Sequence, residues 1–301
     1  MKIRDDDVWV VTFPKCGTTW TQEMVWQISN NVDIEGGKVP LNVRFPFLEG
    51  KTLGDFRHFP LQLPGMKGKL REPLINGYRW WLFLRWNKPK SWLGYKNNID
   101  FLGDATGRRF IKSHFSLSLL PSTLLTKAKV IYVARNPKDA MVSFYHHHKL
   151  MNFHGFVGDL PSFAKRFMSD QIVWSPYFKH LDEAWALKDN QNLLFIFYED
   201  MKRDLDSVIR KVCEFLEVSL NEEQISKLID HLDIKNFRNN TAINMEIGKD
   251  LGFFSREGNF IRKGQVGGWK EEFAEYPELE EEFNNWIDNQ MKIFKVEFPI
   301  T

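Results

Sequence analysis

The sequence predicts an α/β fold: a single domain with a central parallel β-sheet flanked by helices, and a P-loop-like phosphate-binding strand–loop–helix near its start. Three observations predict it. Four short runs rich in β-branched and aromatic residues, VWVVTF from Val8, RFIKS from Arg109, VIYVA from Val130 and LLFIF from Leu193, have the length and composition of buried strands. Three of them are followed closely by helical spacing, and strand alternating with helix is the pattern of a parallel sheet. The first strand passes through PKCGTT directly into a helix.

That first unit carries the clearest chemistry. A helix from Thr18 to Ser29 opens with unpaired backbone N–H groups and a positive dipole end, which together favour an anion. A cap needs one hydroxyl residue, whereas Lys15, Gly17, Thr18 and Thr19 crowd this mouth together, as a phosphate cradle requires. Trp20, in the first turn, is placed to stack on a purine. The stretch is not a Walker A loop, and the third strand ends in Arg135 where a magnesium-holding Asp would stand, so a magnesium-dependent nucleotide hydrolase is disfavoured.

Residues 30–107 are rich in Gly, Pro and Trp without a clear period, and read as helices and loops over the sheet. After RFIKS, Lys112 and His114 stand at the strand end. VIYVA leads to Arg135 and a helix from Pro137 to Lys149, with proline suited to the first turn. In it, His146, His147 and His148 point in three directions and cannot close on one metal, which leaves solvent face or cavity wall. LLFIF leads to Tyr198 and a helix from Met201 to Val218, with Cys213 on its apolar face. Residues 242–268 are irregular, and Pro277 to Lys295 has helical spacing with Leu279, Phe283, Trp286 and Ile287 on one side.

Composition narrows the function classes. The 301 residues are 43% hydrophobic and 15% aromatic with net charge +2, a globular profile without the basic block of a general nucleic-acid binder. Cys16 and Cys213 have no disulfide or zinc spacing, and the reading is a reducing, cytoplasmic compartment. No leader-like or membrane-spanning apolar run appears, so no membrane partner is expected. Without repeats or a linker, residues 1–301 read as one domain.

In open parallel sheets ligands bind beyond the carboxyl ends of the strands. That rule gathers Lys15, Lys112, His114, Arg135 and Tyr198. Two basic strand–turn–helix units imply two anion sites, which one ligand with two separated phosphate-like groups would bridge.

These residues also carry a family resemblance. FPKCGTTW resembles the cytosolic sulfotransferase signature for the 5′-phosphosulfate of 3′-phosphoadenosine 5′-phosphosulfate (PAPS), and the chain is similar to insect-type members. IKSH with LSLLP, ARNPKDAMVSFYHH, YEDM and IRKGQVGGWKEEF resemble further family motifs, in family order across nearly the whole chain. The resemblance implies Lys15, Cys16, Gly17, Thr18 and Thr19 around the 5′ end, Trp20 and Tyr198 at the adenine, and Arg135, Ser143, Arg262, Lys263 and Gly264 at the 3′-phosphate. Leu232 and Ile234 stand near the adenine where the family usually has a hydroxyl and an aromatic. It further implies His114 as general base, Lys15 on the leaving group, Lys112 on the transferring group and Ser143 restraining Lys15, with no metal. His114, His147 and Phe153 would face a small lipophilic hydroxylated acceptor, in a cavity to which Phe144, Phe253 and Phe254 also contribute.

Departures accompany the matches. Cys16 replaces the usual Ser, and GGWK replaces GDWK. KEEFAEYPEL does not preserve the dimer motif K-x-x-x-T-V-x-x-x-E, so a homodimer is not implied. The segment that the family has before DDDVW is missing here. Two other functions stay open: a lyase like the insect retinol dehydratases, and a nucleotide-binding protein without turnover.

Overall fold

Strand β1 (Val8–Thr12) lies inside a four-stranded parallel sheet of order β2-β1-β3-β4, with β2 at Phe110–Ser113, β3 at Lys129–Ala134 and β4 at Leu193–Phe197. This computed structural model describes residues 1–50, 98–250 and 252–299. The predicted strands are all present. Val11 pairs with Ser113 and Tyr132, and Ala134 with Phe197, so the loops that follow the strands emerge on one edge. Every residue of β1 is buried, as expected of a strand covered on both faces.

Alternation within the strands divides the core into two layers. Trp9, Val11, Val130 and Tyr132 face one cluster, with Met141 and Phe144 from α2 (Pro137–Leu150), Phe163 and Phe167 from α3 (Leu160–Met168), and Phe178 and Leu181 from α4 (Tyr177–Trp185). Leu279 and Phe283 from a helix at Pro277–Met291 join that layer. Val8, Val10, Ile131 and Val133 face the other. There they meet Met24, Val25 and Ile28 from α1 (Thr18–Ser29), and Cys213 and Leu228 from the helices at Leu205–Leu216 and Glu222–Leu232.

One helix differs from its sequence reading. Instead of a single helix over 201–218, there are two, Tyr198–Arg203 and Leu205–Leu216. Asp204 separates them: its carboxylate accepts from the Ser207 N–H at 3.0 Å and caps a new helix, so local capping overrides continuous apolar spacing. The last long helix stops at Met291 rather than Lys295.

At the opposite edge from the strand ends, Asp7 and Arg109 join the starts of β1 and β2. Arg109 Nε donates to Asp7 Oδ1 at 2.6 Å, and its other nitrogens reach the carbonyls of Leu102 and Lys2 at 2.7 and 2.8 Å. Both side chains are essentially inaccessible. Among the described residues, no helix is long and apolar enough to cross a membrane.

Candidate active site

Where the strands end, the structure opens into a cavity of about 1250 Å³. The loop after β1 forms its floor through two left-handed residues, Lys15 at φ 68° and Gly17 at φ 97°. A Cβ on Gly17 would come within 2.7 Å of Tyr198 Cδ2, so glycine is what lets the tyrosine ring lie against the helix mouth. Thr18, the first residue of α1, is anchored through its hydroxyl to Thr12 at 2.6 Å.

Arg135, just past β3, holds two distant segments together. It donates to the Lys15 carbonyl at 3.1 Å and to the Gln265 carbonyl at 2.8 Å, while its guanidinium stacks 4.3 Å above the Tyr198 ring. Its buried Nε makes no hydrogen bond among the described residues. Facing it, Arg262 pairs with Glu272 at 3.0 Å, and Lys263 pairs with Glu271. Gly264 turns the chain at φ 64°, and a Cβ there would meet Ile234 Cδ1 at 2.6 Å. Trp20 donates its indole N–H to the Leu232 carbonyl at 3.0 Å and stands edge-on to Tyr198, 5.7 Å between ring centroids.

The site is electropositive. Lys15, Lys112, Arg135 and Arg262 all line the cavity. Burial, followed by the charges of Lys112, Arg135 and Arg262, lowers the Lys15 ammonium from its ordinary value to about 7. Lys112 falls to about 8 through burial, partly offset by Glu49. Each ammonium rests on an aromatic face, Lys15 on Phe260 at 4.7 Å and Lys112 on Phe47 at 4.4 Å. Burial pushes the Cys16 thiol up to about 12, which keeps it protonated and unreactive.

His114 leaves β2 in a fixed orientation. Its Nδ1 lies 2.8 Å from the Thr12 carbonyl, an obligate acceptor, so Nδ1 carries the proton and Nε2 is left unprotonated. Glu49 Oε1 accepts from the Ser113 hydroxyl at 2.7 Å, the His114 N–H at 2.8 Å and the Phe115 N–H at 3.0 Å, pinning the turn. Behind it, His180 Nε2 donates to the His114 carbonyl at 3.0 Å. Burial and the nearby Lys112 hold the His114 imidazole well below its ordinary value, and it is neutral around pH 7.

The other expected residues divide as follows. Ser143 and His147 of α2 line the cavity, together with Thr19, Leu232 and Ile234. No hydrogen bond joins Ser143 to Lys15 among the described residues, since the ammonium lies over Phe260 instead. The three consecutive histidines do diverge: His146 bonds Glu272 at 2.9 Å, His147 faces the cavity, and His148 bonds the Phe144 carbonyl at 3.0 Å. Phe153 sits in the turn Asn152–His154, and its side chain lies outside the described residues, as do the aromatics of 51–97. Sequence reasoning missed Glu49 and Phe260, which stand in no recognisable local pattern, and Glu272, which lies within IRKGQVGGWKEEF but was given no role.

Fold and site together define an α/β protein with a cationic cavity at its strand ends, where a neutral imidazole is held beside two lysines. Residues 5–295 match the family described as Sulfotransferase domain. The luciferin sulfotransferase of Photinus pyralis is 37% identical over 95% of this chain and 71% of its own length, and sulfotransferase 1E1 of Homo sapiens is 30% identical over 98% and 87%. A retinol dehydratase crystallised with retinol and PAP superposes with a TM-score of 0.86 at 32% identity, covering 99% of this chain and 85% of that one. The chain belongs to the sulfotransferase family and is a PAPS-dependent sulfotransferase.

Proposed function

We propose that this protein transfers the sulfuryl group of PAPS to a hydroxyl or amine of a small lipophilic acceptor, in the cytoplasm, with His114 as general base. The carrying observation is one cavity lined by six lysine and arginine residues, Lys15, Lys112, Arg135, Lys202, Arg262 and Lys263, and by an imidazole whose bare nitrogen is set by the Thr12 carbonyl. PAPS supplies the sulfuryl group and a nucleotide leaving group. On this reading His114 Nε2 takes the acceptor proton as the acceptor oxygen bonds to sulfur and the bridging S–O bond breaks. Lys15 neutralises the phosphate oxygen that departs and Lys112 steadies the sulfuryl oxygens, while Ser143, not bonded to Lys15 here, would restrain it once bound nucleotide draws the ammonium off Phe260. These lysines supply the charge that a metal supplies in phosphoryl transfer, so the reading includes no metal.

The nucleotide fits the residues present. Lys15, Cys16, Gly17, Thr18 and Thr19 would surround its 5′ end, with Trp20, Tyr198, Leu232 and Ile234 at the base. Arg135, Ser143, Arg262, Lys263 and Gly264 would take the 3′-phosphate. The buried Nε of Arg135, without a hydrogen bond among the described residues, and the close approach of Tyr198 and Ile234 to the backbone at Gly17 and Gly264 support that fit. The acceptor would meet His114, His147 and Phe153. Likeness to a retinol dehydratase crystallised with androsterone and PAP, at 32% identity, favours a lipophilic acceptor and also a second reading, in which a sulfated alcohol eliminates. Mass spectrometry of products from PAPS and a panel of phenols and alcohols tests both. Sulfated products support transfer, dehydrated products support the lyase, and no product with tight PAP binding supports neither.

Two further results are expected. Arg135→Ala and Arg262→Ala each weaken binding of PAP more than of its analogue lacking the 3′-phosphate, by about 1.5–3 kcal/mol, the range for charge-assisted bonds. Calorimetry with the two nucleotides measures it, and equal weakening would refute the shared 3′ site. The second concerns pH. Protonated Lys15 is the anion-binding form, so PAP affinity is greatest below about 7, where that ammonium titrates, and declines as pH rises through it. Lys15→Met binds more weakly, with a flatter profile over that interval. An unchanged slope in the variant would show that the titration belongs to another group.

A further inference from the structure

His147 is a second imidazole on the reaction cavity, and its surroundings differ from those of His114 in one respect. Neither of its ring nitrogens makes a hydrogen bond among the described residues, and Nδ1 is inaccessible to water. The ring is held by apolar and aromatic edges, Phe260 at 5.8 Å and His154 at 5.7 Å, one helical turn beyond Ser143. Burial, followed by the charge of Lys15, holds this imidazole well below its ordinary value, so it is neutral and carries a single proton. A buried N–H without a partner is rarer in proteins than a buried lone pair without one. The proton therefore belongs on Nε2, the nitrogen that is not sealed off. His114 shows the opposite tautomer, with Nδ1–H bonded to Thr12 and Nε2 bare.

The cavity thus presents an acceptor and a donor on two separate rings. We infer that His147 donates a hydrogen bond to a second polar group of the acceptor molecule, which makes the preferred acceptors hydroxyl compounds that also carry a carbonyl, carboxylate or ring nitrogen away from the reacting oxygen. A hydrocarbon alcohol leaves that N–H unmatched inside an apolar wall, and an unmatched buried polar group is what gives such sites their discrimination. The inference rests on the proposed acceptor site and deepens it.

The test compares para-alkylphenols with phenols in which one chain methylene is replaced by a ketone, moved stepwise along the chain. Dissociation constants are measured by calorimetry on PAP-loaded protein, and kcat/KM is measured with PAPS. One ketone position is expected to bind about threefold to tenfold tighter than the hydrocarbon, the range of one neutral hydrogen bond. His147→Leu should abolish or invert that preference, and His147→Gln, which keeps a donor, should restore part of it, with folding checked by melting temperature. The inference is overturned if no ketone position is preferred, or if the preference survives in His147→Leu. Should the binding preference hold while no phenol is sulfated, the transfer reading fails and the role of His147 stands.

Discussion

His114→Asn is expected to lower turnover of a weakly acidic alcohol by about two to four orders of magnitude, the usual cost of losing a general base. Asparagine is chosen because its amide N–H can replace Nδ1–H on the Thr12 carbonyl, a bond of 2.8 Å, while offering no base to the cavity. His114→Ala should show the same kinetic loss together with a lower melting temperature, since the imidazole is buried against Phe47 and Trp174 at 5.2 and 5.3 Å. PAP affinity should survive in the asparagine variant. An acidic phenol, which needs less help to lose its proton, should suffer less than the alcohol. Because burial and, after it, the charge of Lys112 keep the imidazole neutral around pH 7, the wild-type rate should not decline as pH falls from 7 to about 6.5 through titration of this group. Near-normal alcohol turnover in His114→Asn would remove the base from this position.

Asp7→Ala should be the most damaging substitution for stability. It leaves the Arg109 guanidinium in the interior without its carboxylate, where both partners are inaccessible and the arginine also satisfies the Leu102 and Lys2 carbonyls. Removing one member of a buried pair costs about 3–5 kcal/mol. In a chain of this size that corresponds to a fall in melting temperature of roughly 6–15 °C. The pair lies at the edge of the sheet opposite the cavity, so protein that remains folded at low temperature should bind PAP normally. A loss below about 1 kcal/mol in chemical denaturation would mean that water or relaxation reaches Arg109 more readily than its burial indicates.

The strands were readable because each is a short, dense apolar run, and burial on both faces leaves no alternative composition. The rule that ligands sit beyond strand ends gathers Lys15, Lys112, His114, Arg135 and Tyr198, and all five line one cavity. What failed was local or long-range. Asp204 interrupts an apolar period that looks continuous, since a capping carboxylate acts on two or three backbone groups and leaves no periodic trace. Glu49 organises the turn at His114 from 65 positions away in sequence, and nothing in its neighbours marks it. Phe260 beneath Lys15 escaped for the same reason, whereas Glu272 stands within a quoted motif and only its pairing with Arg262, ten residues back, is a matter of folded geometry. Tautomers are likewise invisible in a sequence, since they depend on which carbonyl lies within reach.

The bond from Arg135 to the Gln265 carbonyl spans 130 residues, while the last strand of the described sheet ends at Phe197. Synthesis therefore meets these two requirements at different times. A nascent chain released from the ribosome as far as β4 already holds all four strands, yet the arm carrying Arg262, Lys263 and Gly264 is still unmade. Domains fold as their segments emerge, and contacts between distant segments form late. Nucleotide capture is on this account the last competence that the molecule acquires, and a polypeptide truncated by premature termination before the arm would have its sheet strands but no grip on the 3′-phosphate.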